Sequence, residues 1–216
     1  MRHLGGNYGD DLRMNEKFFE LKKEKQDRMI NAALKVFAKY GYQHASTDEI
    51  VKEAGISKGL LFHYFTSKIG VYSFLYDYAT RFATLELTAN VEKNENGYFE
   101  LYEQILAAKA AAIAQYPYIY IFLSKADEET NPEALSEISE RREKYQRIMA
   151  ALRDRADVTY LDPSVDYRKL WEVLDYTVKG FLEDSIKGEN FRSDLFLEER
   201  SESTRNNIRK RQTGNC

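Results

Sequence analysis

The stretch from Ser46 to Lys68, STDEIVKEAGISKGLLFHYFTSK, constrains the fold of this 216-residue chain more than any other. Ser46 followed three residues later by Glu49 is a capping box, in which the hydroxyl accepts from the Glu49 backbone N–H and the carboxylate reaches back. Gly55 can take the left-handed conformation that ends a helix, and Ser57 can cap the next one. The pattern therefore predicts two short helices joined by a tight turn, the second over about Lys58 to Phe65.

The second of these helices, which we call the reading helix, has the chemistry of a helix that enters the major groove of DNA. Leu61 and Phe65 lie four residues apart and can anchor it inward. The other positions carry cationic, imidazole, hydroxyl and apolar groups that can contact phosphates, base edges or thymine methyls. We predict DNA contacts from Ser57, Lys58, Gly59, Leu60, Phe62, His63 and Tyr64. The alternative is that SKGLLFHYF is only an amphipathic helix with a basic tip.

The residues after the reading helix start another helix at Ser67-Lys68. The N-terminal amides of a helix and a nearby lysine suit a phosphate group. We therefore add Lys68 to the predicted DNA contacts.

The same stretch closely resembles the DNA-binding domain of the TetR (tetracycline repressor) family of transcriptional regulators. The resemblance covers roughly Gln26 to Tyr76. It rests on Arg28, Ile30, Ala33, Phe37, Gly41-Tyr42, Thr47, Ile50, Ala54-Gly55-Ile56-Ser57, Gly59, Leu61, Phe62, Tyr64-Phe65 and Ser67-Lys68. It implies a regulator that binds DNA as a homodimer, and it adds Thr47 to the predicted contacts. Leu60 and Phe62 depart from the residues usual in the family, so base contact would be more apolar here.

Charge is divided unevenly along the chain, as expected for a DNA-binding head on an acidic body. Residues 16–70 hold ten Lys or Arg against seven Asp or Glu, whereas residues 71–216 hold twenty against twenty-six. The single cysteine, Cys216, rules out a disulfide or a cysteine metal site within the chain. No apolar run reaches membrane-spanning length, so we expect a cytoplasmic protein.

Helical periodicity runs through the rest of the sequence, without strand alternation, phosphate-binding glycine loops or repeats, so we predict an all-α fold. Residues 1–14 show no pattern and indicate a disordered segment or an upstream extension. We assign residues 15–66 to the helix-turn-helix domain and 67–216 to an effector-binding and dimerisation domain. A first helix is expected from about Asn15 to Gly41. A long helix from Ser67 is expected to carry a continuous apolar stripe that includes Val71, Phe74, Leu75, Tyr78, Phe82 and Leu85.

The helix expected from about Pro163 to Lys187 is apolar on two sides. Such a helix suits a core on one side and a second copy of itself on the other. The family resemblance implies a dimer through the last two helices, and we predict an interface centred on Leu174, Val178 and Phe181. The usual last helix is poorly specified, because only Ile208 and Cys216 are hydrophobic after residues 195–197.

Aromatic residues are abundant on the helices after residue 67, and buried tyrosine hydroxyls can orient a bound molecule. We predict a largely apolar, aromatic small-molecule effector, although aromatics at helical spacing also suit a plain core. The predicted contacts are Phe82, Tyr102, Phe122, Tyr145, Trp171 and Tyr176.

The three histidines, His3, His44 and His63, lack metal-ligand or catalytic spacing, so we expect no enzyme, no metal and no cofactor. Two functions stay open. The first is a ligand-responsive regulator, expected to be a repressor that a small molecule releases from a palindromic operator. The second is an all-α small-molecule-binding or interaction protein without DNA-binding activity.

Overall fold

A computed structural model describes residues 17–187, which form eight α-helices and no strand, so the predicted all-α class is confirmed for this part of the chain. The helices are α1 (Lys23–His44), α2 (Thr47–Ala54), α3 (Lys58–Phe65), α4 (Lys68–Asn90), α5 (Tyr98–Gln115), α6 (Ile119–Asp127), α7 (Pro132–Asp154) and α8 (Tyr167–Lys187). No single described helix is long and apolar enough to cross a membrane, and α5 and α6 meet that criterion only as a sharply bent pair. The predictions for residues 1–14 and for the segment after residue 187 lie outside the described residues.

The first helix begins later than the sequence predicts. Residues 17–19 form a separate helical turn, and α1 starts at Lys23. The buried side chain of Gln26 stabilises this break, because its amide donates to the carbonyl oxygens of Phe19 (2.9 Å) and Leu21 (2.7 Å). The prediction of one continuous helix from about Asn15 is therefore wrong within the described residues.

The last described helix also begins later than predicted. Asp162 instead forms a turn, in which its carboxylate accepts from the N–H and the hydroxyl of Ser164 at 2.9 and 2.8 Å. Helix α8 starts at Tyr167, and Asp166 caps it by accepting from the Lys169 N–H at 3.0 Å. Asp162 and Asp166 lie four residues apart, and only Asp166 caps the helix.

The long helix α4 follows the predicted apolar stripe only in its first turns. Val71, Phe74 and Leu75 are buried, whereas Leu85 is 66% exposed. The buried face continues instead through Tyr76, Ala79, Ala83 and Leu87. The prediction is wrong in the second half of the helix because alanines, rather than large side chains, mark its packed side.

The described helices divide into two compact units. Unit 1 contains the described residues up to Phe82 together with Ile121–Met149. Unit 2 contains Ala83–Tyr120 together with the described residues from Ala150 onward. Helices α4 and α7 each contribute residues to both units. These compact units do not divide at residue 66, the predicted limit between the helix-turn-helix domain and the effector-binding domain. That limit stays a prediction about function.

Unit 1 has an aromatic core that joins helices distant in sequence. Phe122 of α6 is fully buried, and its ring centroid lies 6.3 Å from that of Phe37, 5.6 Å from Tyr72 and 6.3 Å from Tyr76. Such pairs contribute about 0.5–1.5 kcal/mol each beyond the burial of their area. The cluster therefore holds α6 against α1 and the first half of α4.

In unit 2, α5 and α8 pack side by side and run in the same direction. The contacts pair Tyr98 with Tyr167, Tyr102 with Trp171, and Lys109 with Asp175. Because the residue numbers rise together along both helices, the two helices are parallel.

Candidate nucleic-acid interface

The helices of the Ser46–Lys68 stretch have caps that fix their limits. Ser46 accepts a hydrogen bond from the Asp48 N–H at 3.2 Å, rather than from Glu49 as the capping box predicts. Gly55 ends α2 with a left-handed φ of 62°. Ser57 accepts from the Leu60 N–H at 3.2 Å and starts α3, the reading helix. The predicted turn glycine, second cap and helix limits are confirmed.

The reading helix has one anchored side and one accessible side. Leu61 and Phe65 are buried as predicted, with 1% and 6% exposure. Of the predicted DNA contacts, Ser57, Lys58, Gly59 and His63 are exposed, and Thr47, Leu60, Phe62 and Lys68 are partly exposed. One side of the helix carries two pairs of residues that are four positions apart, Lys58 with Phe62 and Gly59 with His63. We call them the reading face.

Gly59 stands in open space on the reading face. A Cβ atom added there would meet no heavy atom within 4 Å, and the residue does not have a positive φ. The packing of the chain therefore does not require a glycine. Alanine is about 0.5–1 kcal/mol more favourable than glycine within a helix, so neither packing nor backbone conformation among the described residues explains a glycine at this position.

Tyr64 does not lie on the exposed side, contrary to the prediction. It is 8% exposed, and its ring centroid lies 5.8 Å from that of Phe18 and 6.3 Å from that of Phe65. Helical spacing places Tyr64 at an edge of the reading helix, and a residue from outside the helix-turn-helix covers that edge. A DNA contact through the Tyr64 hydroxyl stays a prediction.

The covering residue, Phe18, is a part of the head that sequence reasoning missed. It is fully buried, and its ring centroid lies 5.2 Å from that of Phe65 in α3 and 5.0 Å from that of Phe74 in α4. Phe18 thus bridges the reading helix and the long helix that follows it. The adjacent apolar pair Phe18-Phe19, just ahead of a lysine-rich segment, is the signal that points to this role.

Lys58 forms an ion pair with Asp48, a second residue that sequence reasoning missed. The Lys58 Nζ lies 2.8 Å from the Asp48 Oδ1, and the two side chains are 51% and 70% exposed. Exposed pairs of this kind are worth about 0–1 kcal/mol. The pair therefore matters less for stability than for the charge that the reading face presents.

Lys68 begins α4 as predicted, but its ammonium group is engaged by the head itself. The Nζ donates to the carbonyl oxygen of Gln43 at 3.2 Å and lies 4.7 Å from the centroid of the Tyr42 ring. Burial lowers the pKa of Lys68, and the carboxylates of Glu129 and Glu133 oppose that shift. A phosphate contact by Lys68 stays a prediction.

The six predicted effector contacts are divided between the two units. Phe82, Phe122 and Tyr145 belong to unit 1, whereas Tyr102, Trp171 and Tyr176 belong to unit 2. Phe122 is part of the packed aromatic core, and Tyr176 is 71% exposed. Tyr102 and Trp171 are both buried and touch edge to face at 5.0 Å.

The predicted dimer residues occupy the inner side of α8. Val178 is 3% exposed within its own chain, and Leu174 and Phe181 are partly buried. Val178 is therefore covered by its own chain, and its place at the centre of an interface stays a prediction. Val173 and Tyr176, at 53% and 71% exposure, lie on the accessible side. A helix that is apolar on two sides does not reveal by periodicity which side faces its own core.

The first half of unit 1 matches a known family. Residues 29–72 match the family model of bacterial regulatory proteins, tetR family. The chain therefore contains a TetR-family domain. The chain is 52% identical over 46 residues to YuxN of Bacillus subtilis strain 168, an uncharacterized HTH-type transcriptional regulator. That stretch is 21% of this chain and 16% of YuxN, so the chain spans less than a fifth of the length of this relative.

Solved structures resemble the chain over most of its length. A TetR family transcriptional regulator from Chloroflexus aurantiacus J-10-FL has a TM-score of 0.52 and 23% identity, covering 88% of each chain. FadR of Bacillus subtilis, solved in complex with stearoyl-CoA, has a TM-score of 0.51 and 19% identity, covering 79% of this chain and 95% of FadR. At these identities the likeness shows the fold alone, a TetR-family domain followed by a helical body.

Proposed function

We propose that this TetR-family protein is a cytoplasmic, ligand-responsive transcriptional regulator that binds a palindromic operator and represses transcription. The observation that carries the proposal is the reading face. Lys58 and His63 are exposed on it, and Gly59 leaves room for a close approach that no residue of the described chain occupies. A helix held by Leu61 and Phe65 on its other side can enter the major groove without losing its anchor.

DNA binding is tested with the DNA upstream of the gene that encodes the chain. We expect saturable binding to a fragment that contains an inverted repeat, and weaker binding to a scrambled fragment of equal length, both measured by fluorescence anisotropy. A reporter under this promoter is expected to be silenced when the protein is supplied. Equal binding to both fragments would favour the alternative, an all-α protein that binds a small molecule or a partner without reading DNA.

We propose a homodimer that forms through the accessible side of α8. Val173 and Tyr176 are exposed and about one turn apart, and an added Cβ at Gly180 on the same side would meet no atom of residues 17–187 within 4 Å. Exposed apolar side chains beside a position without a side chain allow close contact with another helix. A two-fold dimer brings the same side of both copies together and matches a palindromic operator.

The dimer is tested by light scattering on Tyr176→Glu. We expect this variant to be monomeric, because two buried, unpaired carboxylates would face each other. Leu85→Glu is the matched control, since it places the same charge at an exposed leucine of α4. A dimer that survives Tyr176→Glu, or one that Leu85→Glu dissociates, would show that the interface lies elsewhere.

We propose that the effector is a largely apolar molecule that binds unit 2 beside Tyr102 and Trp171 and lowers DNA affinity. Lys109 lies near this aromatic pair along α5, is only 12% exposed, and pairs with Asp175 at 3.0 Å. Its ammonium is 5.9 Å from the centroid of the Tyr120 ring. The Tyr120 hydroxyl is buried and has no hydrogen-bond partner in the described chain. A molecule with an apolar body and one polar group suits such surroundings.

Stearoyl-CoA is the first compound to test, because FadR shares the fold and was solved with it. We expect calorimetry to detect binding to the full chain, and saturating stearoyl-CoA to weaken operator binding. A hundredfold release corresponds to a preference of about 2.7 kcal/mol for the released state. Tyr120→Phe is expected to weaken effector binding by about 1 kcal/mol, whereas the control Tyr118→Phe leaves it unchanged. If a ligand that binds leaves DNA affinity unaltered, the proposed coupling is absent.

A further inference from the structure

Tyr42, near the end of α1, is held by two carboxylates from a distant part of unit 1. Its backbone N–H donates to the Glu129 Oε2 at 3.1 Å, and its hydroxyl donates to the Glu133 Oε2 at 2.8 Å. These partners are 87 and 91 residues away along the chain, in the loop before α7 and in its first turn. Hydrogen bonds to a charged acceptor are roughly twice as strong as neutral ones. We call Tyr42, Glu129 and Glu133 the clamp.

The backbone at Gly41 directs Tyr42 into the clamp. Gly41 has φ 65° and ψ 179°, a conformation essentially restricted to glycine, and it interrupts α1. Its carbonyl oxygen accepts from the Ala45 N–H at 3.2 Å, so the chain forms one more turn after the break. The break therefore separates a short segment, residues 42–45, from the body of α1.

Glu129 is itself fixed by the loop that carries it. Its Oε1 accepts from the N–H groups of Thr130 and Asn131 at 3.0 and 2.9 Å. Asn131 in turn caps α7, because its side chain accepts from the Glu133 N–H at 3.0 Å. The start of α7 and the end of α1 are thus connected by one continuous set of hydrogen bonds.

The clamp adjoins residues that we propose to contact DNA. The Lys68 ammonium lies over the Tyr42 ring and donates a hydrogen bond to the carbonyl oxygen of Gln43. Thr47, at the first position of α2, follows Tyr42 by only five residues. A shift of Tyr42 would therefore move the start of α2 and the Lys68 charge together.

We propose that Glu129 and Glu133 are positioning residues for DNA binding, which act through Tyr42 on the start of α2 and on Lys68. The inference rests on the proposed DNA-binding function. In this proposal α7 is connected to the helix-turn-helix by the hydrogen bonds of the clamp, in addition to the connection along the chain through α4.

The test uses Tyr42→Phe, Glu133→Ala and the double variant of the full chain, titrated with the upstream DNA fragment. We expect each single variant to weaken DNA binding by about tenfold, which corresponds to about 1.4 kcal/mol. The double variant is expected to bind no more weakly than the weaker single variant, because both substitutions remove the same hydrogen bond. Thermal unfolding of each variant is recorded alongside.

Ser73→Ala and Glu137→Ala are the matched controls. The Ser73 hydroxyl donates to the Glu137 Oε1 at 2.7 Å, so this pair also joins α7 to the rest of unit 1, one turn beyond Glu133. We expect a comparable loss of thermal stability without a loss of DNA affinity. Clamp variants that bind DNA like these controls, in a parent that binds DNA, overturn the positioning role alone. A parent that binds no DNA overturns the proposed function and the positioning role with it.

Discussion

The backbone N–H of Ser67 donates to the carbonyl oxygen of Phe65 at 2.5 Å, which closes a γ-turn between the reading helix and α4. The central residue, Thr66, has φ 59° and ψ −44°. A γ-turn with positive φ is rare and strained, and a β-branched residue is among the least suited to it. The junction that connects the reading helix to the long helix therefore stores conformational strain.

We predict that Thr66→Gly is more stable than Thr66→Ala by about 1 kcal/mol or more, because only glycine relieves a strain of this kind. Both substitutions remove the Thr66 hydroxyl and γ-methyl groups, so the variants differ only in the Cβ atom that strains a positive φ. Urea unfolding of the two variants measures it. An alanine variant as stable as the glycine variant would mean that the turn is not strained.

Asp48 is predicted to weaken DNA binding by neutralising Lys58. Asp48→Asn is expected to raise DNA affinity at low salt, whereas Lys58→Ala lowers it and flattens the salt dependence by about one unit of slope. Glu53→Gln is the control for net charge, since Glu53 is also in α2 but pairs with Lys35. If Asp48→Asn and Glu53→Gln raise DNA affinity equally, the effect comes from the net charge of the chain and not from the Asp48–Lys58 pair.

Gly59→Ala is predicted to separate stability from function. The added methyl group meets no atom of the described residues. We therefore expect the free energy of unfolding to rise by up to about 0.5–1 kcal/mol and thermal unfolding to occur at a slightly higher temperature. Operator binding is expected to fall, because the methyl group would lie between the helix and the groove. A variant that is more stable and binds DNA as well as the parent would show that nothing approaches Gly59 closely.

Tyr64 requires a conservative substitution because its ring is part of the core. Tyr64→Ala is expected to destabilise the head by about 3–5 kcal/mol, as large aromatic truncations do, and to lose DNA binding for that reason alone. Tyr64→Phe keeps the contacts with Phe18 and removes only the hydroxyl. If Tyr64→Phe binds the operator like the parent, Tyr64 has a structural role and does not contact DNA.

Most of the helix-turn-helix could be predicted from the sequence, because its signals are local. Ser57, Gly55 and the Leu61/Phe65 pair each act within a few residues, and each is found as predicted. The Ser46 cap and the start of α8 are local errors of a few residues, whereas the larger errors concern contacts made over long separations. The burial of Tyr64 depends on Phe18, and the exposed side of α8 depends on which of its two apolar sides meets α5. Periodicity describes a helix by itself and carries no information about its neighbours.

Unit 1 is built from two separate stretches of the chain, which limits how a chimaeric regulator could be made from it. A head transplanted at the limits of the family match, residues 29–72, would leave behind Phe18 and Phe122, both of which are fully buried. It would also lose both carboxylates that hold Tyr42. The matched segment, residues 29–72, is therefore not expected to keep its packing when it is transferred alone. An exchange of specificity with a relative would have to replace side chains on the reading helix and leave the surrounding chain in place.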